Sequence, residues 1–385
     1  MPQIAGLRGV LPVASKVGEV VAAPVDLANG LTAGTLARDP SRSVYRYHQL
    51  FSGPGRQLVR KSLICAARLS PWSEGAIRPH ETTLPASRDA ALAKIRANRG
   101  HTEPFVAGYR DPATEVERLL RKVESGQPTL DLTTPDGTVH RLWRCQDAEL
   151  LGKLRHYFAP RKLHMLEGHD RYEAMLAYHE ELAGTQALSM YSSANYGLAA
   201  LVSLDDPSLA TAPRHKIIRN VSAKSDAVLA IARTHFIVEK LPGAARDVAR
   251  QFAALRDSVA HQPSFVAVFA GEADAWKLTL SPDVSPVAEG VAIDRALQKH
   301  DPIVLHHMFI ERALAGAQIT TDRDAAAALA AKDADLVLIT RPLSVEQIAH
   351  VDELGGMLPP ESTAFHPPIA LGLVSLPIEP DEDLV

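Results

Sequence analysis

The sequence predicts an α+β protein of two domains. Strand-like and helix-like segments mix along the chain without a strict βαβ rhythm, which argues against a doubly wound sheet. At 385 residues the chain also exceeds what one core supports, roughly 250–300 residues. A shift from a charged helical pattern to small and polar residues across Ala183–Ser193, followed by an apolar run, places the domain break: residues 1–185, then 186–385.

The elements follow in order. Leu58–Ala67 reads as a strand, and Ser87–Asn98 has helical spacing with Ala91, Leu92 and Ile95 on neighbouring faces. Phe105–Tyr109 is strand-like and is broken by Asp111-Pro112; Thr114–Val123 is helical. Thr129–Thr133 and Val139–Arg144 form a hairpin about Asp136-Gly137. Asp147–Phe158 is an amphipathic helix, Leu163–Leu166 is short and apolar, and a helical pattern resumes at Asp170. Beyond the break, Gly197–Leu204, Phe265–Ala270, Trp276–Leu280, Asp335–Thr340 and Gly372–Leu376 read as strands. Ala227–Arg233, Ala244–Leu255 and Ala325–Ala331 read as helices. Asp301-Pro302 reads as an N-cap with Pro at the first helical position, opening a helix to Ala315. Ser344 with Gln347 reads as a capping box.

Bulk properties exclude several classes. Apolar residues make up 46% of the chain and charged residues 22%, an ordinary globular balance. No apolar run approaches the roughly 18 residues of a membrane span, so no membrane partner is expected. The stretch after Met1 lacks a basic region leading into a clean apolar one, so no signal peptide is expected. Cys65 and Cys145 alone make neither a zinc site nor a disulfide framework, and they read as reduced thiols of a cytoplasmic protein. A net charge of −4 argues against bulk attraction to nucleic acid.

Three segments carry candidate chemistry. In Glu167-Gly168-His169-Asp170-Arg171 a short strand enters a glycine turn before a helix, which leaves backbone N–H groups where the macrodipole favours an anion. His169 and Arg171 add donors, and Arg suits phosphate oxygens. The same residues also fit a plain helix start, with Asp170 as N-cap and Glu173 as its capping-box partner. In Arg78-Pro79-His80-Glu81 a carboxylate lies beside a histidine in an extended segment; Glu81 reads as a general base or as a solvated loop residue. Leu358–Pro367 is a Pro-rich loop, read as a connector. His306-His307 falls on a presumed helix, where adjacent positions do not share a face, so a shared metal is not expected.

Taken together, Pro79-His80-Glu81-Thr82-Thr83, Arg96-Ala97-Asn98, Glu167 to Glu173, and Pro359 to Pro367 with Gly372-Leu373-Val374 resemble the ordered motifs of the domain-of-unknown-function family 1015. Lys16-Val17-Gly18 and Ala23-Pro24 resemble its N-terminal segment. The His-Glu segment and the Gly-His-x-Arg turn also look like the ParB/sulfiredoxin-type nucleotide fold and its free-serine kinases. That resemblance implies a nucleotide-binding domain over residues 1–185 and a small-molecule kinase using ATP or ADP and Mg²⁺ on L-serine or a related hydroxyl compound. It makes Glu81 the base, with His80 and His169 beside the chemistry. Gly168, His169, Asp170 and Arg171 become phosphate contacts, Arg96 and Asn98 either face the same site or hold the helix end, and Glu167 is the candidate metal ligand. A homodimer is compatible with the sequence. The chain departs from the family pattern at Glu167 (Asp in the family), Asp170 (His), Glu361 (Lys) and Pro24-Val25-Asp26 (Pro-Pro-Tyr-Asp). Asp170 and Glu361 add negative charge where phosphate would sit, which motivates an alternative: a nucleotide-binding or partner-binding module without catalysis.

Overall fold

The computed structural model describes residues 3–21, 23–53, 55–257 and 262–385. The chain divides into two compact units. The first comprises Met1–Pro79, Thr83–Ala210 and Phe365–Val385; the second comprises His80–Thr82 and Thr211–Ala364. The expected break near residue 185 falls inside the first unit, because the strand Tyr196–Ser203 pairs there with Arg56–Arg68 and with Phe105–Tyr109.

The first unit is built on a mixed nine-stranded sheet. Its strands run in the order Ile77–Arg78, Leu163–Glu167, Phe105–Tyr109, Tyr196–Ser203, Arg56–Arg68, Val44–Gly53, Val139–Cys145 and Leu130–Thr133, with Ile4–Ala5 also on Arg56–Arg68. Leu163–Glu167 is parallel to Ile77–Arg78, Tyr196–Ser203 is parallel to Phe105–Tyr109, and the remaining pairs are antiparallel. Phe105–Tyr109 and Tyr196–Ser203 are buried along their whole length, which is why they read as continuous apolar runs. Val44–Gly53 gave no such signal. It buries Arg46, His48 and Gln49, and the fully buried Arg46 guanidinium pairs with Glu117 and Glu124 of the helix Glu115–Glu124. The hairpin turns at Gly137, whose φ of 82° needs a residue without a side chain.

Helix His169–Thr185 is fixed at its first turn. The Tyr172 hydroxyl donates to the Ser70 carbonyl at 2.7 Å and accepts from the Ser70 N–H at 3.0 Å, while its ring stacks on Trp72 at 4.3 Å. Glu173 accepts from the Thr83 hydroxyl and the Trp72 indole. This anchoring positions the turn that precedes the helix.

The second unit has an antiparallel six-stranded sheet in the order Phe236–Leu241, Ala275–Leu280, Ser264–Phe269, Leu336–Ile339, His215–Arg219 and Gln318–Asp322. One face packs on Val228, Leu229, Phe265, Phe309 and Leu338; the other packs on Leu255, Val266, Ala328 and Ile339. The capping box is present, Gln347 N–H donating to Ser344 Oγ and Ser344 N–H to Gln347 Oε1.

Three expectations are corrected. Asp301 does not cap its helix: the cap position is His300, and the Asp301 carboxylate forms two hydrogen bonds to Arg341 instead. The helix expected from Ala244 starts at Val248, because the Asp247 side chain caps it. Gly372–Leu376 is turn rather than strand except at its end, where Leu376–Pro377 pairs with Gly100–His101. Cys65 and Cys145 are buried free thiols, and among the described residues no helix is long and apolar enough to cross a membrane.

The Tyr172 anchor generates a prediction. Tyr172→Phe leaves two buried backbone groups of Ser70 without a partner, so denaturant unfolding should show a loss of about 1–3 kcal/mol; an unchanged midpoint would mean the hydroxyl does not hold this helix.

Candidate functional site

Glu81 sits in a short extended segment of the second unit. The Leu358 N–H donates to the His80 carbonyl at 2.8 Å, and the Thr82 N–H donates to the Leu358 carbonyl at 3.0 Å. That pairing lays the Glu81 carboxylate on the end of the Pro-rich loop. Its Oε2 accepts from the Ser362 N–H at 3.2 Å, the Thr363 N–H at 3.1 Å and the Thr363 hydroxyl at 2.8 Å. Buried His80 places Nε2 at 2.9 Å from the same hydroxyl oxygen and 3.9 Å from Glu81. A hydroxyl has one proton; while Thr363 gives it to ionised Glu81, His80 Nε2 must be the donor to Thr363. His80 therefore acts on Glu81 mainly through Thr363.

The loop is held from the His215–Arg219 strand and its approach. Lys216 Nζ donates to the Glu361 carbonyl at 2.8 Å, and Arg214 Nε donates to the Thr363 carbonyl at 3.0 Å. The Thr321 hydroxyl donates to the Glu361 carboxylate at 3.1 Å and accepts from Arg214 Nη1. Burial pushes the Glu81 carboxyl up to about 7, against the pull of Thr363, Arg214 and Lys216. Burial likewise brings the Lys216 ammonium down to about 8, opposed by Glu361 and Glu81. Thus the loop position that carries Lys in the family pattern is acidic here, and Lys216 and Arg214 supply cations beside it. Sequence reasoning missed both, because the strand they introduce is short and flanked by polar residues. The one available signal was Arg214-His215-Lys216 running into Ile217-Ile218.

The glycine turn lies in the first unit. The Leu163–Glu167 strand ends in Gly168, whose φ of 85° and ψ of 37° reverse the backbone into helix His169–Thr185. No side chain caps this helix at Gly168. The helix begins two residues before the alternative reading placed it, so Asp170 lies inside the first turn and is not the N-cap. Glu173 faces Thr83 and Trp72 rather than closing a capping box. The Arg171 guanidinium folds back over the turn: a side chain on Gly168 would lie 2.6 Å from Arg171 Nε. That Nε is buried without a hydrogen-bond partner, and Nη1 stands 3.7 Å from Glu103. An Arg donor without an acceptor at an uncapped helix start suits an anion. His169 is buried, and Glu167 Oε1 accepts the Phe365 N–H at 3.0 Å.

The structure thus groups Glu81 with His80, and Gly168 with His169, Asp170 and Arg171. Arg96 and Asn98 are engaged elsewhere. Arg96 pairs with Glu181, roughly 18 Å along the helix from its start. Asn98 Oδ1 accepts the Leu27 N–H at 2.9 Å, and its Nδ2 donates to the Lys94 carbonyl. Both bonds are structural, and Asn98 borders a cleft of 870 Å³ with Tyr178 and Leu182.

Comparison with known proteins gives the following. No curated protein matches. Among solved structures, a conserved hypothetical protein from Pyrococcus furiosus aligns at a TM-score of 0.40 and 10% identity, covering 84% of this chain and 95% of that one. A free serine kinase in complex with AMP aligns at 0.41 and 10%, covering 84% and 93%. SbnI with a C-terminal truncation, from Staphylococcus aureus, aligns at 0.40 and 13%, covering 82% and 90%. The profile described as protein of unknown function (DUF1015) matches residues 14–300, about three quarters of the chain, and the protein belongs to that family.

Proposed function

We propose that the protein transfers a phosphoryl group from a nucleotide, ATP or ADP, to the hydroxyl of L-serine or a related small molecule. The observation that carries this reading is Glu81: a carboxylate held by Ser362 and Thr363 and raised by burial to about 7, the value a general base needs near neutral pH. Glu81 would take the hydroxyl proton as that oxygen attacks phosphorus, and His80 would keep the Thr363 hydroxyl oriented toward it. Gly168 and Arg171 would hold nucleotide phosphates through backbone N–H groups and the guanidinium, with His169 and Asp170 in the same turn. Phosphoryl transfer rests on positioning and charge neutralisation. Mg²⁺ binds through one or two carboxylates plus substrate phosphates, and Glu167, at the strand end beside the turn, fits one such ligand. Bound there, Mg²⁺ would neutralise phosphate charge. The same proposal assigns a ParB/sulfiredoxin-like nucleotide-binding role to the unit that carries the glycine turn, with the cytoplasm as its place.

A second reading is favoured by a specific observation. Three donors already fill the Glu81 oxygen, and Asp170 stands in the turn, an arrangement that also suits a nucleotide-binding module without catalysis.

The deciding experiment incubates the protein with Mg²⁺, L-serine and ATP or ADP and reads O-phosphoserine by mass spectrometry, with nucleotide binding followed by calorimetry. The kinase reading expects product that Glu81→Gln reduces by on the order of 100-fold or more while nucleotide still binds. Binding without product, from either donor, would establish the module instead. In the active case kcat/KM should depend on pH through Glu81. The base works only when ionised, so the rate should fall about tenfold per unit below pH 7 and level off above it; a flat profile from pH 5 to 7 would remove Glu81 from that role.

A further inference from the structure

The segment Val304–Ile310 is a π-helix between the short α-helical pieces Asp301–Ile303 and Glu311–Ala313. Its closing bond is the Glu311 N–H donating to the His306 carbonyl, five residues back. This changes which side chains share a face. On an α-helix Glu311 would lie about 40° from His307 but about 140° from His306, on the opposite side. At about 4.4 residues per turn, Glu311 falls between the two histidines, about 30° from one and 50° from the other. The expectation that His306 and His307 cannot serve one ligand assumed the α period and does not hold here.

The side chains use that register. His306 Nε2 lies 3.3 Å from Glu311 Oε1, and His307 Nδ1 lies 3.0 Å from Glu311 Oε2. One ligand atom from each of the three residues fits within a 4.8 Å span, and the imidazole planes stand at 89° to each other. Ligand atoms bound to one ion at about 2.0–2.1 Å are themselves about 2.9–3.4 Å apart. Each histidine already stands at that separation from one Glu311 oxygen, and side-chain rotation would close the 4.8 Å span onto one ion. The opposite face of the segment, Val304, Leu305, Met308, Phe309 and Ile310, is buried, which locks the backbone that sets this spacing. The three polar side chains remain partly open to solvent.

We propose that His306, His307 and Glu311 form a site for a divalent first-row transition ion of the zinc class. Two imidazoles and one carboxylate suit such an ion, whereas Mg²⁺ and Ca²⁺ prefer oxygen ligands throughout. Three protein ligands leave a coordination position for water or another small ligand, as in open zinc sites. The π-turn then has a physical purpose: it adds the residue that turns His306 toward Glu311, and such turns recur at functional sites.

The test uses full-length protein stripped with a chelator and titrated with Zn²⁺ by calorimetry, with Co²⁺ absorption as a second signal. One saturable equivalent is expected. His306→Ala, His307→Ala and Glu311→Gln should each weaken it by roughly tenfold or more, and the exposed His156→Ala should leave it unchanged. Zinc should raise the melting temperature of the wild type and not of the three variants, which also reports that they are folded. Absence of a saturable equivalent in the wild type, or one that keeps its affinity in all three variants, would overturn the proposal.

Discussion

The arrangement around Glu81 depends on one set of hydrogen bonds: a single carboxylate oxygen accepts from two consecutive backbone amides and a hydroxyl, Ser362 N–H, Thr363 N–H and Thr363 Oγ1–H. The partners are 281 and 282 positions from Glu81 in the chain. Hydrogen bonds to a charged group contribute about 1.5–3 kcal/mol each, and losing the acceptor would leave buried amides unpaired. Glu81 thus holds the loop on this path together with Lys216 and Arg214, which bond the Glu361 and Thr363 carbonyls. The positive φ of 54° at Glu361 is part of that path, held by the Lys216 ammonium on the Glu361 carbonyl.

Charge follows from this geometry. Burial disfavours ionised Glu81, while Arg214, Lys216 and the Thr363 hydroxyl favour it, and the balance lies near neutrality. The same environment acts on Lys216 in the opposite sense. Glu361, which looks from sequence like a repulsive substitution, is turned to the Thr321 hydroxyl and lies in the field of Lys216. In the first unit, the turn avoids a carboxylate cap at Gly168 and keeps the Arg171 guanidinium folded over the backbone. The two features differ in kind: one raises a base, the other leaves donors for an anion.

Much of this was legible in the sequence where local physics decides. Apolar runs such as Phe105–Tyr109, the Asp136-Gly137 turn and the Ser344–Gln347 box carry their structure in a few adjacent residues. What was not legible depends on distant partners. Val44–Gly53 hid behind Arg46, whose burial makes sense only with Glu117 and Glu124 beside it. Asp301 looked like a cap until Arg341 took its carboxylate. Arg96 and Asn98 sat in a motif, yet their partners are Glu181 and Leu27. His306 and His307 were read with the wrong helical period, because nothing local announces a π-turn. Glu81 was singled out from its neighbours, but its hydrogen-bond donors come from the far end of the chain.

The most direct test of the account is the titration of Glu81 itself, followed by carboxyl ¹³C NMR in protein labelled on Glu and assigned by the resonance missing in Glu81→Gln. The account predicts a midpoint near 7, moving higher in Thr363→Val, which removes the hydroxyl that favours the charged form. A midpoint at the ordinary 4.5, unmoved by Thr363→Val, would contradict it.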